Sequence, residues 1–198
     1  MPQPPQSDRI THLEPADVER LLKACRDPRE EAVISVCLDA GLRISELASL
    51  TVADVVVDDI RARHLVVRGK GGKVRGTVIG AATATVLRRY LRERARSRHA
   101  ALPGLWLGQQ GAMTDSGLSK LIRAVGARAG LDGIHPHLLR HTWAHYYRLN
   151  GGQTDNLVYL AGWSGPAMAL RYGRSAAAER AEQEALGLSL VDRQRRRR

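Results

Sequence analysis

The stretch His64-Leu65-Val66-Val67-Arg68-Gly69-Lys70-Gly71-Gly72-Lys73-Val74-Arg75-Gly76-Thr77-Val78 decides the fold class. Two runs rich in β-branched residues, His64 to Arg68 and Lys73 to Val78, flank a glycine-rich turn, which is the pattern of an antiparallel hairpin with Lys70 at its tip. Val55 to Val57 lies upstream, beyond Asp58-Asp59, and adds a third short strand. On both sides of this island the apolar period becomes helical. The chain is therefore expected to be α+β: mainly helical, with one small three-stranded antiparallel sheet.

Upstream, Glu14-Pro15 supplies a helix start with proline at its first position, followed by Val18, Leu21, Leu22 and Cys25 at helical spacing. A second helix is expected from about Arg29 to Ala40, burying Val33, Val36 and Cys37 and stopped by Gly41. Leu42-Arg43-Ile44-Ser45-Glu46-Leu47 opens a short third. Downstream, Ala81 to about Arg98 reads as helix and Leu102 to Ala112 as a pause. Thr114 caps the next helix, which Gly130 ends. Pro136 starts a helix that runs to the break at Asn150-Gly151-Gly152. Thr154 to Ala161, a short segment carrying Tyr172, and alanine-rich Ser175 to Leu186 complete the pattern. Residues 1–10 read as a flexible leader, 11–187 as one domain and 188–198 as a basic tail ending in Arg195 to Arg198.

The chain has 198 residues, 43% of them hydrophobic, enough for a real core, and 31 Lys and Arg against 20 Asp and Glu give a net charge of +11. That excess points to a polyanionic partner, nucleic acid before membrane surface. No signal peptide or transmembrane run is present, so a cytoplasmic location is expected. Cys25 and Cys37 lack metal-ligand spacing, which fits a reducing compartment and gives no zinc site.

Four elements carry candidate chemistry. Arg43, at the edge of a helix, can grip a phosphate with its guanidinium fork while Glu46 orients the segment; a plain surface Arg-Glu pair explains the same spacing. Lys70 and Lys73 sit on a glycine-rich turn whose bare backbone can approach DNA, or they form a solvated basic turn; the spacing is not that of a nucleotide-binding loop. His137 and Arg140 lie one helical turn apart, with His141 on the next stripe. Trp163 follows Gly162. Tyr172 stands between Arg171 and Arg174, a cationic setting expected to be mobile and to favour phenolate chemistry. Tyr146, Tyr147 and Tyr159 are expected to pack, since a chain with no Phe must build its aromatic core from Trp and Tyr.

In order, Arg, hairpin Lys, His-x-x-Arg, Trp and Tyr resemble the catalytic domain of tyrosine recombinases, the phage integrase family, from about Thr11 to Ser175. The resemblance rests on Ala40-Gly41-Leu42-Arg43-Ile44-Ser45-Glu46-Leu47, the Gly-Lys-Gly-Gly-Lys-Val-Arg turn, Pro136-His137-Leu138-Leu139-Arg140-His141-Thr142 and Leu160-Ala161-Gly162-Trp163-Ser164. It implies Arg43 and Arg140 as phosphate clamps, Lys70 as the hairpin lysine, His137 as the first histidine, Trp163 at the family's second His-or-Trp position and Tyr172 as nucleophile. Glu46 and His141 are supporting residues, and Lys73, Arg75, Arg171 and Arg174 are expected to face DNA. The implied activity is site-specific recombination through a 3′-phosphotyrosine link, with no cofactor and no metal, on double-stranded DNA, with self-association up to a tetramer on paired sites. Alternatives are a type IB topoisomerase-like activity and a noncatalytic DNA-binding derivative. Family members usually carry a core-binding domain ahead of the catalytic one. Only about ten residues precede the first helix here, so the chain is either a fragment or a reduced relative that binds DNA with one jaw, and weak, strongly salt-dependent duplex binding is expected.

Overall fold

The computed structural model describes residues 11–57, 63–69 and 72–187. The expected leader, the basic tail and Lys70 lie outside these described residues. Helix α1 spans Pro15–Lys23 and α2 Pro28–Ala40. At the start of α2, Asp27 accepts from the Glu30 N–H at 2.8 Å and Pro28 takes the first position, so both halves of a strong N-terminal signal are present. Ala32 to Cys37 and Ala40 are all buried. A helix apolar on every side belongs in the middle of a fold, and α2 packs on α1, α4, α5, α6 and β3.

Gly41 closes α2 at φ +55°, and a Cβ there would lie 2.0 Å from the Trp143 ring, so only glycine fits on both counts. Helix α3, Ile44–Ser49, follows directly. The sheet is β1 (Val55–Val57), β2 (Arg63–Arg68) and β3 (Val74–Val78), in that order and antiparallel throughout, as the hairpin pattern predicts. Pairing of Leu65 with Thr77 and of Val67 with Arg75 puts these four on one face, and all four are buried. The turn between β2 and β3 is closed by the Gly69 N–H donating to Lys73 O at 2.8 Å.

Helix α4 runs Ala81–Arg94 and stops short of Arg98. Arg94 is the cause: its guanidinium turns back onto the carbonyls of Ala100, Leu102, Gly104 and Leu105 and shapes the loop that follows. The expected pause holds a two-stranded ribbon, β4 (Leu107–Gly108) with β5 (Gly111–Ala112). Helices α5 (Asp115–Arg128), α6 (Pro136–Leu149), α7 (Thr154–Ala161), α8 (Ala167–Ser175) and α9 (Ala177–Gly187) complete the chain.

Two apolar clusters result. The larger gathers α1 to α5, the sheet and the first turns of α6. The smaller holds Trp143, Ala144, Leu157, Ala161, Ala169 and Tyr172, from α6, α7 and α8. Helix α6 joins them, with Leu139 in one and Trp143 in the other, and Arg140 sits at the seam. Tyr146 and Tyr147 are half-buried, but Tyr159 is 61% exposed, contrary to expectation. Helix α7 is held by Leu157 and Ala161, one turn apart, and residue 159 falls on the opposite side.

Candidate active site

Three arginines from three elements converge on the end of α7. Arg75 Nε donates to Leu160 O at 2.9 Å, Arg140 Nη2 to Ala161 O at 2.6 Å, and Arg43 Nη2 to Gly162 O at 2.9 Å. The last carbonyls of a helix lack intrahelical partners and carry the negative end of its dipole, so this is where guanidinium groups bind well. Arg140 also donates to Gly41 O at 2.5 Å, tying the end of α2 to the end of α7.

Glu46 is the hub of the cluster. Arg75 holds it bidentately at 2.8 and 2.9 Å, Arg43 Nη1 reaches it at 2.9 Å, and Arg140 Nη1 lies 4.0 Å away. Its other oxygen accepts the Arg43 backbone N–H at 2.9 Å, closing the first turn of α3. Glu46 is 3% exposed, and burial alone would raise its carboxyl; the hydrogen bonds from Arg75 and Arg43 outweigh that and hold it below the usual carboxylate range. One carboxylate faces three guanidinium groups. The excess of positive charge, in a largely dry seam, suits a phosphate. Arg140 shows the strain of this crowding: burial first, then the charge of Arg43, bring its pKa down to about 10, still charged at neutral pH.

Arg75 corrects an expectation. Instead of facing DNA it is 8% exposed and fully engaged with Glu46 and Leu160. Strand alternation signals this, because residue 75 shares a face with Thr77 and opposes buried Val67. Gly162 belongs to a motif quoted above but is given no role by it. It ends α7 at φ +62°, and a Cβ there would stand 2.9 Å from Arg75 Nη1 and 3.3 Å from Arg43 Nη1.

Trp163 lies against this cluster, its ring 5.5 Å from the Arg140 guanidinium carbon and stacked on Tyr172 at 5.6 Å and 7°. Tyr172 itself lacks the expected ease of phenolate formation. It is 1% exposed, because Ala169, Tyr172 and Gly173 form the buried face of α8. Burial pushes its phenol up to about 12 against the opposing pull of Arg140 and Arg171, so the phenolate is disfavoured in this arrangement. The hydroxyl is hydrogen-bonded to His141 Nδ1. Burial, then the neighbouring His137 and His135, lower the His141 pKa, leaving a neutral ring able to accept a proton.

Arg43, Glu46, Arg140, His141, Trp163 and Tyr172 are thus brought together. His137 is exposed, one turn before His141, with ring centroids 6.5 Å apart. Lys73 is exposed at the hairpin, and Arg171 and Arg174 flank Tyr172 on α8, half-buried and exposed respectively. Gly69 lies at the cluster's edge: a Cβ there would be 3.7 Å from Arg75 Nη1. Among the described residues no helix is long and apolar enough to cross a membrane.

Residues 11–179 match the model of the phage integrase family. The tyrosine recombinase XerC of Chromobacterium violaceum is 33% identical over 138 residues, covering 69% of this chain and 44% of that protein. XerC of Azotobacter vinelandii is 33% identical over 147 residues, covering 74% and 47%. The chain spans about half the length of these curated relatives. The crystal structure of XerA recombinase superposes with a TM-score of 0.80 at 26% identity, covering 93% of this chain and 66% of that one. The XerH recombinase bound to its difH substrate in a pre-cleavage complex gives 0.70 at 22% identity over 82% and 50%, a likeness of fold.

Proposed function

The chain belongs to the phage integrase family, and we propose that it is the catalytic domain of a site-specific tyrosine recombinase acting on double-stranded DNA. In the proposed step the Tyr172 oxygen attacks a phosphorus of the DNA backbone. A bond from phosphorus to tyrosine forms and the bond to the 5′ oxygen breaks, giving a 3′-phosphotyrosine and a free 5′-hydroxyl. The phenolic proton passes to a base, and the leaving oxygen takes up a proton. Attack by another strand's 5′-hydroxyl reverses the step. One phosphodiester replaces another, so the exchange conserves bond energy and needs no nucleotide co-reactant.

The observation that carries this reading is the convergence of Arg43, Arg140, Trp163 and Tyr172 at one seam. As attack proceeds, charge grows on the nonbridging oxygens, where fixed guanidinium donors stabilise the transition state more than the ground state. Their prior anchoring by Glu46 and the α7 carbonyls means that little reorganisation is needed at the moment of reaction. His141, already at the Tyr172 hydroxyl, is the residue we assign to take its proton, with exposed His137 in support. Lys70 is assigned to protonate the leaving oxygen, a role that needs an ammonium rather than a permanently charged guanidinium. Tyr172 must leave its burial, or DNA must reach it, before attack. Lys73, Arg171 and Arg174 are assigned to the DNA backbone, with copies of the protein assembling on paired sites, up to a tetramer, in the cytoplasm at the nucleoid.

The test is a paired-site recombination assay run beside a supercoil-relaxation assay. Strand exchange between sites supports the recombinase; relaxation with no exchange replaces it with a topoisomerase-like activity, and neither reaction leaves a DNA-binding derivative.

A further inference from the structure

Arg75 reaches the seam from the buried face of β3, and the reaction proposed for the site gives it no part. Three of its five N–H groups are taken, one by Leu160 O at 2.9 Å and two by the carboxylate oxygens of Glu46 at 2.8 and 2.9 Å. The other two arginines hold Glu46 less closely. The Arg43 side chain gives the carboxylate a single hydrogen bond at 2.9 Å and is 37% exposed, so part of its fork is open to a ligand. Arg140 stands 4.0 Å away, its Nη atoms turned to Gly41 O and Ala161 O. Arg75 is thus the principal counter-charge of Glu46, and its burial leaves Arg43 as the exposed member of the trio.

Left uncompensated, a buried carboxylate this close would repel a phosphate and compete with it for the same guanidinium groups. Glu46 stays ionised against its burial, and Arg75 is the first of the hydrogen-bonding partners that keep it so. With all three arginines the seam carries a surplus of two positive charges over Glu46, and without Arg75 the surplus falls to one. We propose that Arg75 is a positioning residue for the cleavage step: paired with Glu46, it keeps that carboxylate from capturing Arg43 and Arg140 and leaves their charge to the scissile phosphate. The inference rests on the recombinase reading of the same site, since it names the phosphate of that reaction as the ligand. Arg75 itself touches no reacting atom and acts through Glu46.

The experiment measures binding of inorganic phosphate to the full 198-residue chain by calorimetry at low ionic strength, with circular dichroism confirming that each variant is folded. Arg75→Met should weaken phosphate binding about tenfold or more. Arg75→Gln, a gentler change that keeps an N–H for Glu46, should weaken it in the same direction and carries the comparison if the methionine variant does not fold. Adding Glu46→Gln to Arg75→Met should bring the affinity back to near that of the parent, and Glu46→Gln alone should bind at least as tightly as the parent. A merely structural Arg75 predicts the opposite, two losses that accumulate. Arg92→Met, on the exposed side of α4, should change nothing. No phosphate binding by the parent, parent-like affinity in a folded Arg75 variant, a double variant as weak as Arg75→Met, or weaker binding in Glu46→Gln would each overturn the proposal. The covalent adduct on nicked DNA is scored separately in the parent: its absence would end the recombinase reading, while the phosphate series still decides whether Arg75 shields the seam from Glu46.

Discussion

The Tyr172 hydroxyl is hydrogen-bonded to Nδ1 of His141, and both side chains ride on helices that pack together, α8 on α6. A phenol pushed up to about 12 is a poor nucleophile by itself, so its contact with a neutral imidazole is chemically pointed. The base is in hydrogen-bond reach before any substrate arrives.

His141→Gln should therefore lower the rate of covalent adduct formation on a nicked DNA substrate by about 10²- to 10⁴-fold, the usual worth of a general base. The His141 pKa is depressed below the ordinary imidazole value of 6.5, so its base form prevails at neutral pH and is lost only on acidification below that value. The parent should show this acid limb in its pH–rate profile. The variant should not, while keeping its circular dichroism.

Glu46→Gln leaves three guanidinium groups facing a neutral amide. Breaking a buried ion pair in this way costs about 3–5 kcal/mol, to be read by denaturant unfolding at pH 7. The folded-state pKa of Glu46 lies below its free value of 4.5. Its stabilisation is thus fully present above that pH and fades as the pH falls through the folded-state value, so the gap between parent and variant should narrow in acid.

Gly162→Ala puts a side chain at φ +62° and within 2.9 Å of Arg75 Nη1. The backbone strain costs on the order of 1–3 kcal/mol. The displaced Arg75 and Arg43 should depress adduct formation further than the loss of folded protein accounts for, which a comparison of activity with folded fraction will reveal.

Trp163→Phe keeps an aromatic ring against Tyr172 and Arg140 but deletes the indole N–H. If that N–H serves the phosphate, the rate should fall by about 10²- to 10³-fold with little change in thermal stability. Trp163→His restores a donor and should recover much of the loss. Equal behaviour of the two variants would assign Trp163 to packing alone.

Sequence pattern reached far into this molecule, and it failed where depth had to be known. The hairpin, the Thr114 cap and the Gly41 stop follow from local chemistry, and each stands where expected. Arg43 and Arg140 were legible as members of a spaced series. Arg75 was not, because a basic residue beside a basic turn reads as surface until its strand partner Val67 is seen to be buried. The burial of Tyr172 is hidden for a related reason: arginines flank it, but on a helix the neighbours in sequence point elsewhere, and Ala169 one turn back sets the face. The anchoring of three guanidinium groups on successive carbonyls at the end of α7 and its Gly162 cap involves backbone atoms, which no residue pattern announces.

The central claim is that one phenol oxygen, at residue 172, becomes covalently joined to DNA. A nicked suicide substrate that traps the adduct, followed by mass spectrometry of the DNA-linked peptide, measures this directly. The account predicts an adduct mapped to Tyr172, absent in Tyr172→Phe and unchanged in Tyr159→Phe, whose side chain is exposed. An adduct that persists in Tyr172→Phe, or one mapped to any other residue, would contradict it.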